Sequence, residues 1–218
     1  MCLSCEKGVR ELQQIYGSIR EQIVVRLGEF GQVMEGGGED RIFAELVFCI
    51  LTPQSRAKLC WAAVESLMSK DLLLKGGGEE IVRELSGVRF KYKKAGYIIA
   101  AREEFIDDGE LNIREKIIGL GVEERRDFLV SKVKGLGYKE ASHFLRNVAL
   151  SEDMAILDRH VLRSLRSLGV IEEMPRSLSR KRYLEIEEKM KDFAEEICIP
   201  MSHLDLTLWY RETGEVFK

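Results

Sequence analysis

Three residues in the second half of this 218-residue chain, Gly135-Leu136-Gly137, narrow its possible folds more than any other stretch. Two glycines around one apolar residue let a chain reverse tightly and let a partner approach its backbone. Upstream, Leu129, Val130 and Val133 give residues 123–133 one apolar helical face. Downstream, a helix is expected from Tyr138, because Ala141, Phe144, Leu145 and Val148 recur at i, i+3, i+4 and i+7. The pattern is therefore helix, glycine hairpin, helix. Open N–H groups and the dipole at the start of the second helix favour an anion, and a nucleic-acid phosphate is the obvious one. Lys139 falls in the first turn of that helix, on a polar face shared with Ser142, His143 and Arg146 and directed away from the hairpin's own core. Asp158 follows 19 residues later (158 − 139 = 19).

The rest of the chain reads as helical. Residues are 45% hydrophobic and 33% charged, with three prolines and no clear strand alternation. The net charge of −3 argues against a general polyanion binder, so contact with DNA has to come from a local basic patch. Residues 9–30 suggest one or two amphipathic helices with a break near Gly17. The triplets 36–38 and 76–78 suggest connecting loops. Neither is followed by the Lys-Ser/Thr of a phosphate-binding loop. Residues 41–51 form an apolar core helix, after which Thr52 is expected to cap a new helix beginning at Pro53 and exposing Gln54. Residues 89–102 concentrate Arg89, Lys91, Lys93, Lys94 and Arg102 among Phe90, Tyr92 and Tyr97. They suit either a phosphate track with stacking aromatics or a core stripe (Ala95, Ile98, Ile99, Phe105) with lysines as its wet face. Residues 113–120 make a short helix. Asp158 precedes the stripe Val161, Leu162, Leu165 and Leu168 and is a natural N-cap. Ser179 opens a helix to about Ile197, and Ser202 or His203 opens the last one, which stops at Gly214.

The segments Val-Lys-Gly-Leu-Gly-Tyr-Lys-Glu-Ala (133–141) and Asp-Arg-His-Val (158–161) resemble the helix-hairpin-helix DNA glycosylase superfamily. The run 137–147 and the ending Leu-Trp-Tyr, Thr-Gly, final Lys are similar to its archaeal-type 8-oxoguanine DNA glycosylase/lyase branch. The resemblance implies an all-α HhH-GPD glycosylase fold, with two helical lobes flanking a DNA-binding cleft. The implied fold unit is 1–218, with sub-lobes near 30–120 and 122–218 and the hairpin at 122–150; the resemblance itself is strongest at 133–163 and 203–218. It makes Lys139 the nucleophile and Asp158 its catalytic partner, with Gly135 and Gly137 on the DNA backbone. It has Trp209 stack on the flipped base, and the carboxylate and amine of the final Lys218 distinguish oxidised from normal guanine. Phe90 would lie near the base pocket. Asp205 is either a pocket acceptor or a first-turn acid. Gln54 is either the wedge that fills the hole left by an extruded base or a surface glutamine. His160 is either a phosphate contact or a core histidine.

The activity so implied is excision of 8-oxoguanine through a lysine Schiff base, then strand nicking by β-elimination. Two alternatives remain at this stage: an endonuclease III-like enzyme for oxidised pyrimidines, and a non-catalytic hairpin module. The four-cysteine loop of some superfamily members is missing, since only Cys198 lies in that region. Cys2 and Cys5 form a CxxC without a second pair, and Cys49 sits in an apolar run as expected of buried packing. No cofactor or metal is expected. The expected partner is double-stranded DNA carrying oxidised guanine. With no apolar run long enough for a membrane and no signal-peptide pattern, a cytoplasmic protein, monomeric, is the expectation.

Overall fold

The computed structural model describes residues 3–218. Cys2, half of the CxxC, lies outside the described residues. Helix α1 (Leu3–Glu35) is followed by α2 (Glu39–Leu51), α3 (Ala57–Ser69), α4 (Leu72–Lys75), α5 (Gly78–Glu84) and α6 (Lys91–Phe105). A two-residue antiparallel pair, β1 (Ile106–Asp107) and β2 (Glu110–Leu111), separates these from α7 (Ile113–Ile118), α8 (Val122–Lys132) and α9 (Tyr138–Asn147). The chain continues through α10 (Arg159–Ser167), α11 (Arg180–Glu196) and α12 (Met201–Thr213). The architecture is all-α apart from that small hairpin, whose turn at Asp108 and Gly109 uses positive φ at both positions. No helix among the described residues is long and apolar enough to cross a membrane.

The chain divides into two compact units. One is Gly31–Leu150, built around α2, which packs on α3, α6, α7 and α9. Every residue of α2 from Ile42 to Leu51 is buried. A helix apolar on all sides has to be enclosed on all sides. Its one buried acid, Glu45, accepts a hydrogen bond from Asn147 Nδ2 of α9 at 3.1 Å. That bond and the α2–α9 packing explain a departure from the expected sub-lobes: the hairpin of α8 and α9 joins the 31–120 segment, not the C-terminal one.

The other unit joins the chain up to Phe30 with Ser151–Lys218. Ile19 and Ile23 of α1 pack with Leu206 of α12, flanked by Ile15, Tyr16, Leu27, Tyr210 and Val216. The expected break at Gly17 does not occur, and α1 runs through it unbroken. An exposed helical glycine costs only about 1 kcal/mol against alanine. The packed face on either side outweighs that. Helices α10 and α11 both pack on α12. Ser179 caps α11 as expected, its Oγ accepting from Arg182 N at 3.3 Å, and Gly214 (φ +75°) ends α12. That last helix starts at Met201, just after Pro200, slightly before the expected residues.

Candidate active site

Within Gly31–Leu150, the hairpin turn requires glycine at one of its two positions. Gly135 has φ +90°, and a Cβ there would lie 2.4 Å from Cδ2 of Tyr97, so the Tyr97 ring lies directly against the hairpin backbone. Gly137 has an ordinary φ of −103°. Its N–H, which a phosphate would otherwise meet, donates to Oε2 of Glu140 at 3.2 Å. The same carboxylate brings Oε1 within 3.6 Å of Lys139 Nζ. Glu140 is therefore the internal anion of this helix start.

The face carrying Lys139 is polar but not wet. Ser142, His143 and Arg146 are all buried. His143 meets Phe48 of α2 edge-on at 5.5 Å, and Ser142 Oγ donates to Tyr138 O at 2.9 Å. The Arg126 guanidinium lies 5.2 Å from the centre of the Tyr138 ring. Because α2 covers this face, only its Lys139 end reaches solvent, with the side chain 21% exposed.

Two further residues of this unit sit on strained backbone. Thr52 does not cap a new helix. It closes α2, its Oγ1 donating to Cys49 O at 3.0 Å, and α3 begins only at Ala57. Gln54 is exposed, as expected, but in the intervening turn at φ +56°. Phe90 precedes α6 at φ +59° and is 55% exposed, with the Arg89 guanidinium 5.5 Å from its ring centre. The wet-face reading of the lysines fails at Lys94, which is 4% exposed. Lys94 shares the buried stripe of Ala95, Ile98, Ala101 and Phe105, and burial lowers its pKa.

In the second unit, Asp158 is the N-cap of α10, its Oδ1 accepting from Val161 N at 2.8 Å. The extended segment leading into it is pinned by α11. Tyr183 OH donates to Ala155 O at 2.6 Å and accepts from Leu157 N at 3.3 Å, and Glu187 Oε2 accepts from Ala155 N at 2.8 Å. His160 is not a core histidine: its side chain is 43% exposed, with Nδ1 3.4 Å from Glu212 Oε2. Its ring stands edge-on to the partly exposed Trp209 at 5.9 Å.

Asp205 is buried in the body of α12, so the first-turn reading does not apply. The segment after Gly214 is not frayed. Val216 packs on the Ile19–Leu206 cluster, and Lys218 is buried with Nζ 6.0 Å from the centre of the Phe30 ring. Lys139, Gly135, Gly137, Gln54 and Phe90 thus belong to one unit, and Asp158, His160, Trp209, Asp205 and Lys218 to the other. Among the described residues no group of three or more His, Cys, Asp or Glu side chains is placed to hold a metal ion.

The family model for 8-oxoguanine DNA glycosylase, Ogg-HhH, matches residues 23–199. The chain belongs to the 8-oxoguanine DNA glycosylase family. It is 47% identical over 209 residues to the 8-oxoguanine DNA glycosylase/AP lyase of Fusobacterium nucleatum, covering 95% of this chain and 96% of that protein. It is 40% identical over 215 residues to the enzyme of that name from Methanocaldococcus jannaschii, covering 96% and 99%. The solved 8-oxoguanine DNA glycosylase of Thermotoga maritima matches 98% of this chain and all of that one, with a TM-score of 0.88 at 35% identity. The M. jannaschii 8-oxoguanine glycosylase/lyase, solved in complex with a 15mer DNA containing 8-oxoguanine, matches 96% of this chain and 99% of that one, with a TM-score of 0.87 at 37% identity.

In this glycosylase, the contacts that Lys94, Glu140, Tyr183 and Glu187 make around the expected residues were not legible in the sequence. The one available signal is at Lys94, where the spacing 94, 98, 101, 105 places a charge on a buried helical stripe.

Proposed function

We propose that this chain is a bifunctional DNA glycosylase/AP lyase that removes 8-oxoguanine from duplex DNA and nicks the strand. What carries the reading is the full-length likeness to a glycosylase/lyase captured on 8-oxoguanine DNA, joined to a lysine and an aspartate at the expected spacing in this sequence.

Each side chain has a task suited to its chemistry. The hairpin turn at Gly135 and Gly137 meets a backbone phosphate through the N–H groups that Glu140 leaves open. The damaged nucleotide leaves the stack, Gln54 fills the gap, and His160 contacts a phosphate near the lesion. Trp209 stacks on the extruded base, a contact worth about 1–3 kcal/mol. Phe90, Asp205 and Lys218 complete the base pocket.

Lys139 attacks C1′ of the sugar as the neutral amine. The bond to N9 of the base breaks, and the base departs with the electron pair and takes up a proton. Asp158 accepts the proton released from the lysine nitrogen and stabilises positive charge at C1′. The amine adduct opens the sugar to a Schiff base. Loss of a C2′ proton then expels the 3′ phosphate, and water releases the enzyme. Asp158 suits this task because Val161 N–H already fixes its orientation. We place it as a monomer that acts without a cofactor on cytoplasmic DNA.

Borohydride reduction of the Schiff base tests this directly. With 8-oxoguanine duplex, the native chain should give a covalent DNA adduct, and Lys139→Gln should give none. An adduct of undiminished yield in Lys139→Gln would remove Lys139 as nucleophile. Absence of an adduct and of excision in the native chain would remove the function.

A further inference from the structure

Lys94 is a buried cation whose three N–H groups are all directed into one turn. Its Nζ donates to Leu51 O at 2.7 Å, to Pro53 O at 2.7 Å and to Ser55 Oγ at 3.1 Å. Ser55 Oγ also accepts from Arg89 N at 3.1 Å, and Ser55 N donates to Thr52 O at 3.0 Å. The acceptors surround Gln54, the exposed residue of the turn, which has a left-handed φ of +56°. A non-glycine residue in that region persists only where its surroundings over-determine it. Here the surroundings are the carbonyls and hydroxyl that one ammonium gathers from both sides of Gln54.

Burial disfavours the charged form of Lys94 by more than Cys60 and Glu140 nearby favour it, so its pKa is lowered. An apolar side chain would fill this point of α6 without that penalty. Leu51 O already has a second, weaker donor in Cys60 Sγ at 3.2 Å. Packing alone therefore does not account for a lysine here, whereas fixing the 52–55 turn does.

We propose that Lys94 is a positioning residue for Gln54, holding the turn in the shape that lets Gln54 enter the duplex when the damaged nucleotide leaves it. This rests on the glycosylase reading above and on Gln54 as the gap-filling side chain. It assigns Lys94 no contact with DNA.

The experiment uses the full chain and two duplexes, one with 8-oxoguanine paired to cytosine and one with 8-oxoguanine opposite an abasic gap. The second lesion is already unpaired, so extrusion demands little of a wedge. In single-turnover excision, Lys94→Met is expected to lose about tenfold on the paired duplex and less than about twofold on the unpaired one. Gln54→Ala should show the same selectivity. The double variant should be no slower than the slower single one, because the two side chains act as one unit. Ser55→Ala removes one acceptor without deleting the buried charge, and should give a smaller loss of the same selectivity. It keeps the test decisive if Lys94→Met unfolds.

Equal losses on both duplexes, additive effects of the Lys94 and Gln54 changes, or an unaffected paired duplex in both Lys94→Met and Ser55→Ala would overturn the proposal. A native chain that excises nothing would instead remove the function on which it rests. A Gln54→Ala variant that loses equally on both duplexes would remove the wedge.

Discussion

The His160 ring stands edge-on to Trp209, with centroids 5.9 Å apart and planes at 86°. The indole thus has a fixed neighbour, which itself lies 3.4 Å from Glu212. Trp209→Ala is expected to weaken binding to a non-cleavable 8-oxoguanine duplex by about 1–3 kcal/mol, the worth of one base–aromatic stack. His160→Ala removes the edge contact but leaves the indole, so a smaller loss of about 0.5–1.5 kcal/mol is expected. Fluorescence anisotropy titrations on the two variants measure both. The ordering is the test: a His160 loss exceeding the Trp209 loss would mean that the phosphate contact of the histidine outweighs the stack.

Asp158 is held from two directions, by its own helix start and by Tyr183 on the segment before it. Tyr183→Phe keeps the ring and deletes two buried hydrogen bonds, which should cost about 1–3 kcal/mol of stability. Small misplacements of a reacting group can cost up to about a hundredfold in rate, so single-turnover excision should fall on the order of ten- to a hundredfold while duplex affinity holds. Unchanged excision at full occupancy would mean that the segment needs no pin.

The two hairpin glycines are not equivalent. Gly135→Ala places a methyl group on left-handed backbone and into the Tyr97 ring, and should destabilise by about 2–4 kcal/mol. Gly137→Ala meets only the tip of the Glu140 carboxylate, at 3.2 Å, on ordinary backbone, and should cost under about 1 kcal/mol. Urea unfolding of the pair checks the contrast, and similar midpoints would contradict it.

His203 should make stability depend on pH. Burial, and then the Arg20 charge, lower its pKa from 6.5, and its Nδ1 lies 3.0 Å from Tyr16 OH. With a depressed folded value, the unfolded chain binds the extra proton first. The contribution of His203 is therefore complete above pH 6.5 and is lost as pH falls through the folded value. Solvent screening keeps the slope below the single-proton limit of about 1.4 kcal/mol per pH unit. His203→Gln should flatten the difference in unfolding free energy between pH 7 and pH 5. Parallel curves for the two proteins would remove His203 as the cause.

Residues whose local chemistry decides their place were readable in the sequence. The buried stripe of α9, Asp158 and Ser179 as caps, and Gly214 as a stop all follow from periodicity and backbone demands within one helix. What escaped was set by contacts far along the chain. The polar face of α9 is buried because α2 lies over it, about a hundred residues earlier, and no periodicity within α9 contains that fact. Lys94 reads as solvated until the carbonyls of Leu51 and Pro53 arrive to bind it. Thr52 reads as a helix opener because Pro53 follows, yet its hydroxyl turns back to Cys49. Tyr183 was legible as packing and not as a hydrogen-bonding clamp, since its partners lie 28 and 26 residues away.

The unit carrying Lys139 is one continuous stretch, Gly31–Leu150, whereas the unit carrying Asp158 and Trp209 joins segments on either side of it. Joining them closes a loop of 120 residues (150 − 31 + 1 = 120), and compacting the intervening chain first shortens the gap that has to be bridged. Assembly is therefore expected to have a direction: the continuous Gly31–Leu150 unit compacts first, and the unit that joins the two ends of the chain follows. A chain caught midway has Lys139 in its place before Asp158 and Trp209 are in theirs.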